Sequence, residues 1–140
     1  MCFFRKPKVE PETIKPTSTR KASFTEVFQL IAERFPDCPI YLSDNEYLLC
    51  SYDDIALFLA QDQTNKMEYQ SEVYDCDNFS YRLMGQFSIP GWSALAFGIV
   101  WSANHAFNVF ISEDKKLLFV EPQDDSISEN MEGDLRFIIM

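Results

Sequence analysis

The chain has 140 residues, of which 46% are hydrophobic, 15% aromatic and 24% charged. That length suits one domain able to bury a core of its own. A net charge of −10 lacks the positive footprint that phosphate binding needs, which argues against a nucleic-acid partner.

The charge is unevenly spread. Residues 1–21 hold six basic side chains (Arg5, Lys6, Lys8, Lys15, Arg20, Lys21) against Glu10 and Glu12, a surplus of four positive charges that leaves −14 on the remainder. Such a leader can fold back on the acidic body, dock elsewhere, or stay a solvated tail. The apolar start Cys2-Phe3-Phe4 is too short for a signal core, and Pro7, Pro11 and Pro16 follow it. The longest apolar run, residues 94–101, is strand-sized rather than membrane-sized. The expected location is therefore cytoplasmic, with virion association open. Cys2, Cys38, Cys50 and Cys76 read as reduced thiols without CxxC spacing. With a single histidine they give no zinc pattern, and no metal or cofactor is expected from them.

Residues 1–20 show no apolar period and read as a basic flexible leader. Residues 21–140 read as a single α+β domain. Ser23 with Glu26 predicts a capped helix whose apolar face is Phe24, Val27, Phe28, Ile31, Ala32 and Phe35, stopped by Pro36. A short strand at 40–42, a turn at Asp44-Asn45 and a possible strand at 47–50 follow. Ser51 with Asp54 predicts a second capped helix through Ile55, Ala56, Phe58 and Leu59. Residues 61–72 read as a polar loop. A third helix begins at Asp75 or Cys76 and buries Phe79, Leu83, Met84 and Phe87. Strands are predicted at 94–101 and 105–111, apolar on both faces and hence central. The chain turns at 112–116, returns as a strand over 117–121 and stops at Pro122. After an acidic loop, residues 135–140 predict a last strand. Helices first and a strand meander after them give α+β.

Three residues in this order suggest acyl-transfer chemistry. A thiol at a helix start is where the backbone dipole favours a thiolate, and Cys76 stands there, although Asp75 and Asp77 oppose a further negative charge. His105 is the sole imidazole. If 112–116 is the hairpin loop, Ile111 faces Leu117 and Val109 faces Phe119. Glu121 then shares a sheet face with His105, at the diagonal position. A carboxylate there can hold the tautomer and stabilise the imidazolium. A loop one residue longer or shorter would turn Glu121 to the other face.

The phrases Tyr-Asp-Cys76-Asp-Asn-Phe-Ser, Asn-His105-Ala-Phe-Asn-Val and Phe-Val-Glu121-Pro resemble the papain-like cysteine peptidases. The nearer likeness is to the papain-like domain of a fungal ricin-type agglutinin and to small bacterial and phage proteins that share it. The resemblance covers about residues 74–123. It implies a papain-like fold, with a nucleophile-bearing helix packed on an antiparallel sheet, and a Cys-His-Glu triad of Cys76, His105 and Glu121. It also implies Gln70, six residues before Cys76, as an oxyanion donor. The activity it implies is that of a thiol-dependent hydrolase, a peptidase or amidase acting on a peptide or amide. Calcium is implied by the resemblance alone, without matched ligands. The competing expectation is a catalytically inactive peptide-binding, virion or structural module, supported by the aromatic load and the acidic neighbours of Cys76.

Overall fold

The computed structural model describes residues 15–131 and 133–140. Ser23 caps the first helix as its spacing predicts. Ser23 Oγ accepts the Glu26 N–H at 3.3 Å, and the Glu26 carboxylate accepts the Ser23 N–H at 2.8 Å. Helix α1 runs Phe24–Arg34. Its buried stripe is narrower than expected. Val27 and Ile31 are fully buried, whereas Phe24 and Phe28 remain 42% and 40% exposed and stack on each other.

The three residues before this helix form β1 (Lys21–Ser23), paired antiparallel with β3 (Glu46–Leu48) in a two-stranded ribbon. Residues just upstream are tied down as well. Asp54 accepts the Thr17 N–H at 2.7 Å and the Ser18 N–H at 3.3 Å, and Arg20 Nη1 donates to the Glu113 carbonyl at 2.7 Å. The remainder of the basic leader, residues 1–14, lies outside the described residues. Asp54 itself sits in the first turn of α2 (Tyr52–Gln61), where Ser51 Oγ accepts its N–H at 3.4 Å. Its carboxylate thus serves the incoming chain rather than its own cap.

The main sheet has six strands in the order β2–β8–β4–β5–β6–β7. These are β2 (Ile40–Tyr41), β4 (Phe97–Ser102), β5 (Ala106–Ile111), β6 (Leu117–Glu121), β7 (Ser126–Ser128) and β8 (Leu135–Ile139). The β2–β8 pair is parallel and the others are antiparallel. Every residue of β5 is buried, in keeping with a central strand whose two faces are both apolar. On one face Val100, Phe107, Val109, Phe119 and Ile138 meet Val27 and Ile31 of α1. On the other, Phe97, Phe110, Leu118 and Val120 meet Ile55 and Leu59 of α2 and Leu83 and Phe87 of α3 (Cys76–Phe87). Three helices on a mostly antiparallel sheet make this an α+β chain, the class its element order predicts.

Two strands were not predicted from the pattern. β1 lies in a polar stretch, and β7 in the acidic segment read as a loop. Each has three residues, too few to show a period of two. The predicted boundaries of β4 were also early: residues 94–96 are held to β3 of the ribbon by the isolated parallel Leu48–Leu95 bridge before β4 starts at Phe97.

Candidate functional site

The predicted hairpin register is the observed one, with Ile111 opposite Leu117 and Val109 opposite Phe119. Alternation along β6 therefore sends Glu121 to the same face as Phe119. The turn from β4 to β5 fixes the other partner. The Ser102 N–H donates to the His105 carbonyl at 2.8 Å, and Ser102 Oγ accepts the His105 N–H at 3.1 Å. The His105 ring stacks near Phe107, with centroids 5.6 Å apart, and its Nε2 lies 2.5 Å from Glu121 Oε2. The second carboxylate oxygen of Glu121 accepts the Gln123 N–H at 3.2 Å. The hydrogen bond to Glu121 raises the His105 pKa above its ordinary value, against a smaller opposing effect of burial. The charged pair thus forms as the pH falls through the histidine range and is lost as it rises. Its side chains are 37% and 27% exposed, so solvent screens it and its effect on stability is small.

This pair stands in a cleft of about 560 Å³, a size ordinary for small-ligand sites. Phe107 and Phe119 line it, and polar groups come from Asn104, Ser126, Ser128 and Asn130. The sequence reading missed these last four. They belong to a tight turn, a three-residue strand and an irregular segment, none of which carries a periodic signal.

Cys76 and Gln70 stand on other elements of the chain. Cys76 is the first residue of α3, half-buried and not in a disulfide. Asn78 Oδ1 reaches back to the Asp75 N–H at 3.1 Å at this helix start. A hydrogen bond with Asp75, followed by burial and charge repulsion, holds the Asp77 carboxyl above its usual range. The helix is fastened to the sheet by Asn108, fully buried, whose Nδ2 donates to the Ser80 and Gly98 carbonyls, each at 3.1 Å. Asn108 and Phe110 share the face that α3 covers. Phe107 and Phe119, beside the His105–Glu121 pair, belong to the opposite face. Among the described residues no hydrogen bond joins Cys76 to His105, and neither Cys76 nor Gln70 lines the cleft. The Gln70 side chain is exposed. Its backbone closes a turn, donating to the Tyr74 carbonyl at 2.8 Å and accepting the Tyr74 N–H at 2.7 Å.

Among the described residues no group of three or more His, Cys, Asp or Glu is arranged for a metal ion. Calcium takes six to eight oxygen ligands. The neighbouring carboxylates Asp62 and Asp125, with the Lys66 ammonium beside them, do not supply such a cage. No described helix is long and apolar enough to cross a membrane.

No protein-family model matches the chain, and no curated protein sequence matches it. Solved structures do. One, described as a PSL1a–E64 complex, superposes with a TM-score of 0.77 at 24% identity, covering 86% of this chain and 51% of that chain. Another is Polyporus squamosus lectin bound to the human-type influenza-binding epitope Neu5Aca2-6Galb1-4GlcNAc. It has a TM-score of 0.73 at 23% identity and covers 86% of this chain and 49% of that one. The chain thus spans about half the length of these two chains, and at this identity the likeness is one of fold.

These findings correct the expectation drawn from the short motifs. Of these structural neighbours, the one described by function is a lectin and neither is described as a papain-like peptidase, so the family assignment, the cysteine-protease description and the thiol-dependent peptidase or amidase function are set aside. The peptide substrate goes with them. The physical reason for the error is plain. A cysteine at a helix start and a histidine beside a glutamate are each common, so short motifs built on them do not fix a family.

Proposed function

We propose that this chain is a non-catalytic binding module, with residues 21–140 as its one folded domain, whose cleft takes a hydroxyl-rich ligand of the saccharide class. The observation that carries the reading is the make-up of the cleft: a floor formed by the edges of the largely buried Phe107 and Phe119 beside polar groups of Asn104, His105, Glu121 and Asn130. A sugar ring presents C–H surface on one side and hydroxyl groups at its rim, and this lining offers partners to both. Glu121 holds His105 in place and keeps lone pairs to accept a ligand hydroxyl. The likeness in fold to a lectin bound to a sialylated trisaccharide supports the same ligand class.

The test is a titration of the 15N-labelled chain with a panel of neutral and sialylated oligosaccharides, read by amide shifts. Saturable shifts confined to residues 102–107, 119–121 and 126–131 are expected for at least one sugar. Glu121→Ala should weaken that binding by about tenfold or more, the usual worth of a hydrogen bond to a charged group. Shifts clustered around α3, or no saturation with any saccharide, would refute the assignment.

A further inference from the structure

We propose that Asn65 and Asp125 form a proton-operated latch that fixes the wall of the cleft in mildly acidic solution and releases it at higher pH. This is independent of what the cleft binds.

The geometry is half of a cyclic acid–amide pair. Asn65 Nδ2 donates to Asp125 Oδ2 at 2.6 Å. The other two atoms of the same two groups, Asn65 Oδ1 and Asp125 Oδ1, are both buried and both lack a hydrogen-bond partner. Two acceptors left facing a dry environment are costly. One proton, taken from solvent onto Asp125 Oδ1 and donated to Asn65 Oδ1, satisfies both at once. When it leaves, it returns to solvent and the two oxygens are again unpaired.

The surroundings favour that proton. Asp62 at the end of α2 and Asp124 in the same turn both repel a charge on Asp125, and Lys66 alone among the groups acting on it opposes them. Burial is the larger effect, and together they push the Asp125 pKa up to about 6. Asp62 brings no donor to the pair: its carboxylate accepts the Thr64 N–H at 2.7 Å and the Gln86 Nε2 amide at 3.1 Å.

What the latch holds is the cleft. Asp125 ends the β6–β7 turn in a left-handed conformation, φ 63°, and donates its N–H to the Glu121 carbonyl at 2.8 Å. The next residue, Ser126, pairs with Glu121 across the ladder and lines the cleft. Asn65, in the Thr64–Lys66 turn that follows α2, anchors this wall to the helical layer. The sign follows from linkage. A carboxyl whose folded pKa lies above its unfolded value of 3.8 stabilises the fold fully below that value, and the contribution is lost as pH rises through about 6.

The experiment is a pH titration of the full chain from 8 to 4.5, following the Asn65 side-chain amide by 15N NMR, together with thermal unfolding at pH 5 and 7.5. The Asn65 amide should shift with a midpoint near 6, and the amides of 124–126 should exchange more slowly at pH 5. Asp125→Asn keeps a residue tolerant of the left-handed backbone and restores a donor at all pH values. It should raise the Tm at pH 7.5 and abolish the Asn65 transition while leaving the His105 ring titration in place. An Asn65 amide that does not titrate, or that titrates near 4, overturns the latch. So does stabilisation of the wild type by added CaCl2 at pH 7.5 that Asp125→Asn lacks, since the unpaired oxygens would then belong to a cation.

Discussion

Gly98→Ala is expected to destabilise the chain by about 3 kcal/mol, at the upper end of overpacking effects. Gly98 lies in β4, between β5 and β8. A Cβ added there would collide with the Ile139 carbonyl oxygen and lie 3.1 Å from Met140 Cα. Both are backbone atoms, so no side-chain rotation relieves the clash and β8 must move away from β4. A glycine inside a strand often marks such a close backbone approach. The move would also disturb the parallel β2–β8 pair, since Ile138 and Ile139 are its partners. Urea unfolding of the variant checks the magnitude, and a loss below about 1 kcal/mol would show that β8 is not fixed where the register puts it.

Phe110→Ala should cost a similar amount, about 3–5 kcal/mol, the usual range for emptying a buried aromatic site. Phe110 is fully buried on the face of β5 that receives α2 and α3, among Leu83, Phe87 and Val120. Its loss leaves a cavity between the helical layer and the sheet rather than at a flexible edge. Phe24→Ala is the matched control. Phe24 is 42% exposed, so removing it should change stability by well under half as much. Equal losses at the two positions, measured by the same denaturant titration, would mean that the two apolar layers are not divided as described.

That contrast shows what the sequence could and could not reveal. The 3.6-residue spacing of α1 gave its position and its cap, but not the width of the surface it meets, so Phe24 and Phe28 were drawn into a stripe that buries only Val27 and Ile31. The central strands were legible because β5 is apolar on both faces. The His105–Glu121 contact was legible because one hairpin loop, 112–116, fixes the register of everything beyond it. Asn108 was not, since nothing in the pattern of a strand tells a buried amide that clasps a helix from a polar break. The rim of the cleft, from Asn104 and from Ser126 to Asn130, comes from segments too short or irregular for any period. The placement of Cys76 at the start of its helix was legible from the helix pattern.

The claim on which this reading rests is that the cleft binds and does not cut. Its most direct test follows one sample of chain with a saccharide ligand and, separately, with peptide and amide substrates, comparing the wild type with Cys76→Ala and Glu121→Ala. The expected result is saccharide binding unchanged by Cys76→Ala, weakened by Glu121→Ala, and no turnover of any substrate. Turnover by the wild type that disappears in a folded Cys76→Ala protein would contradict the account.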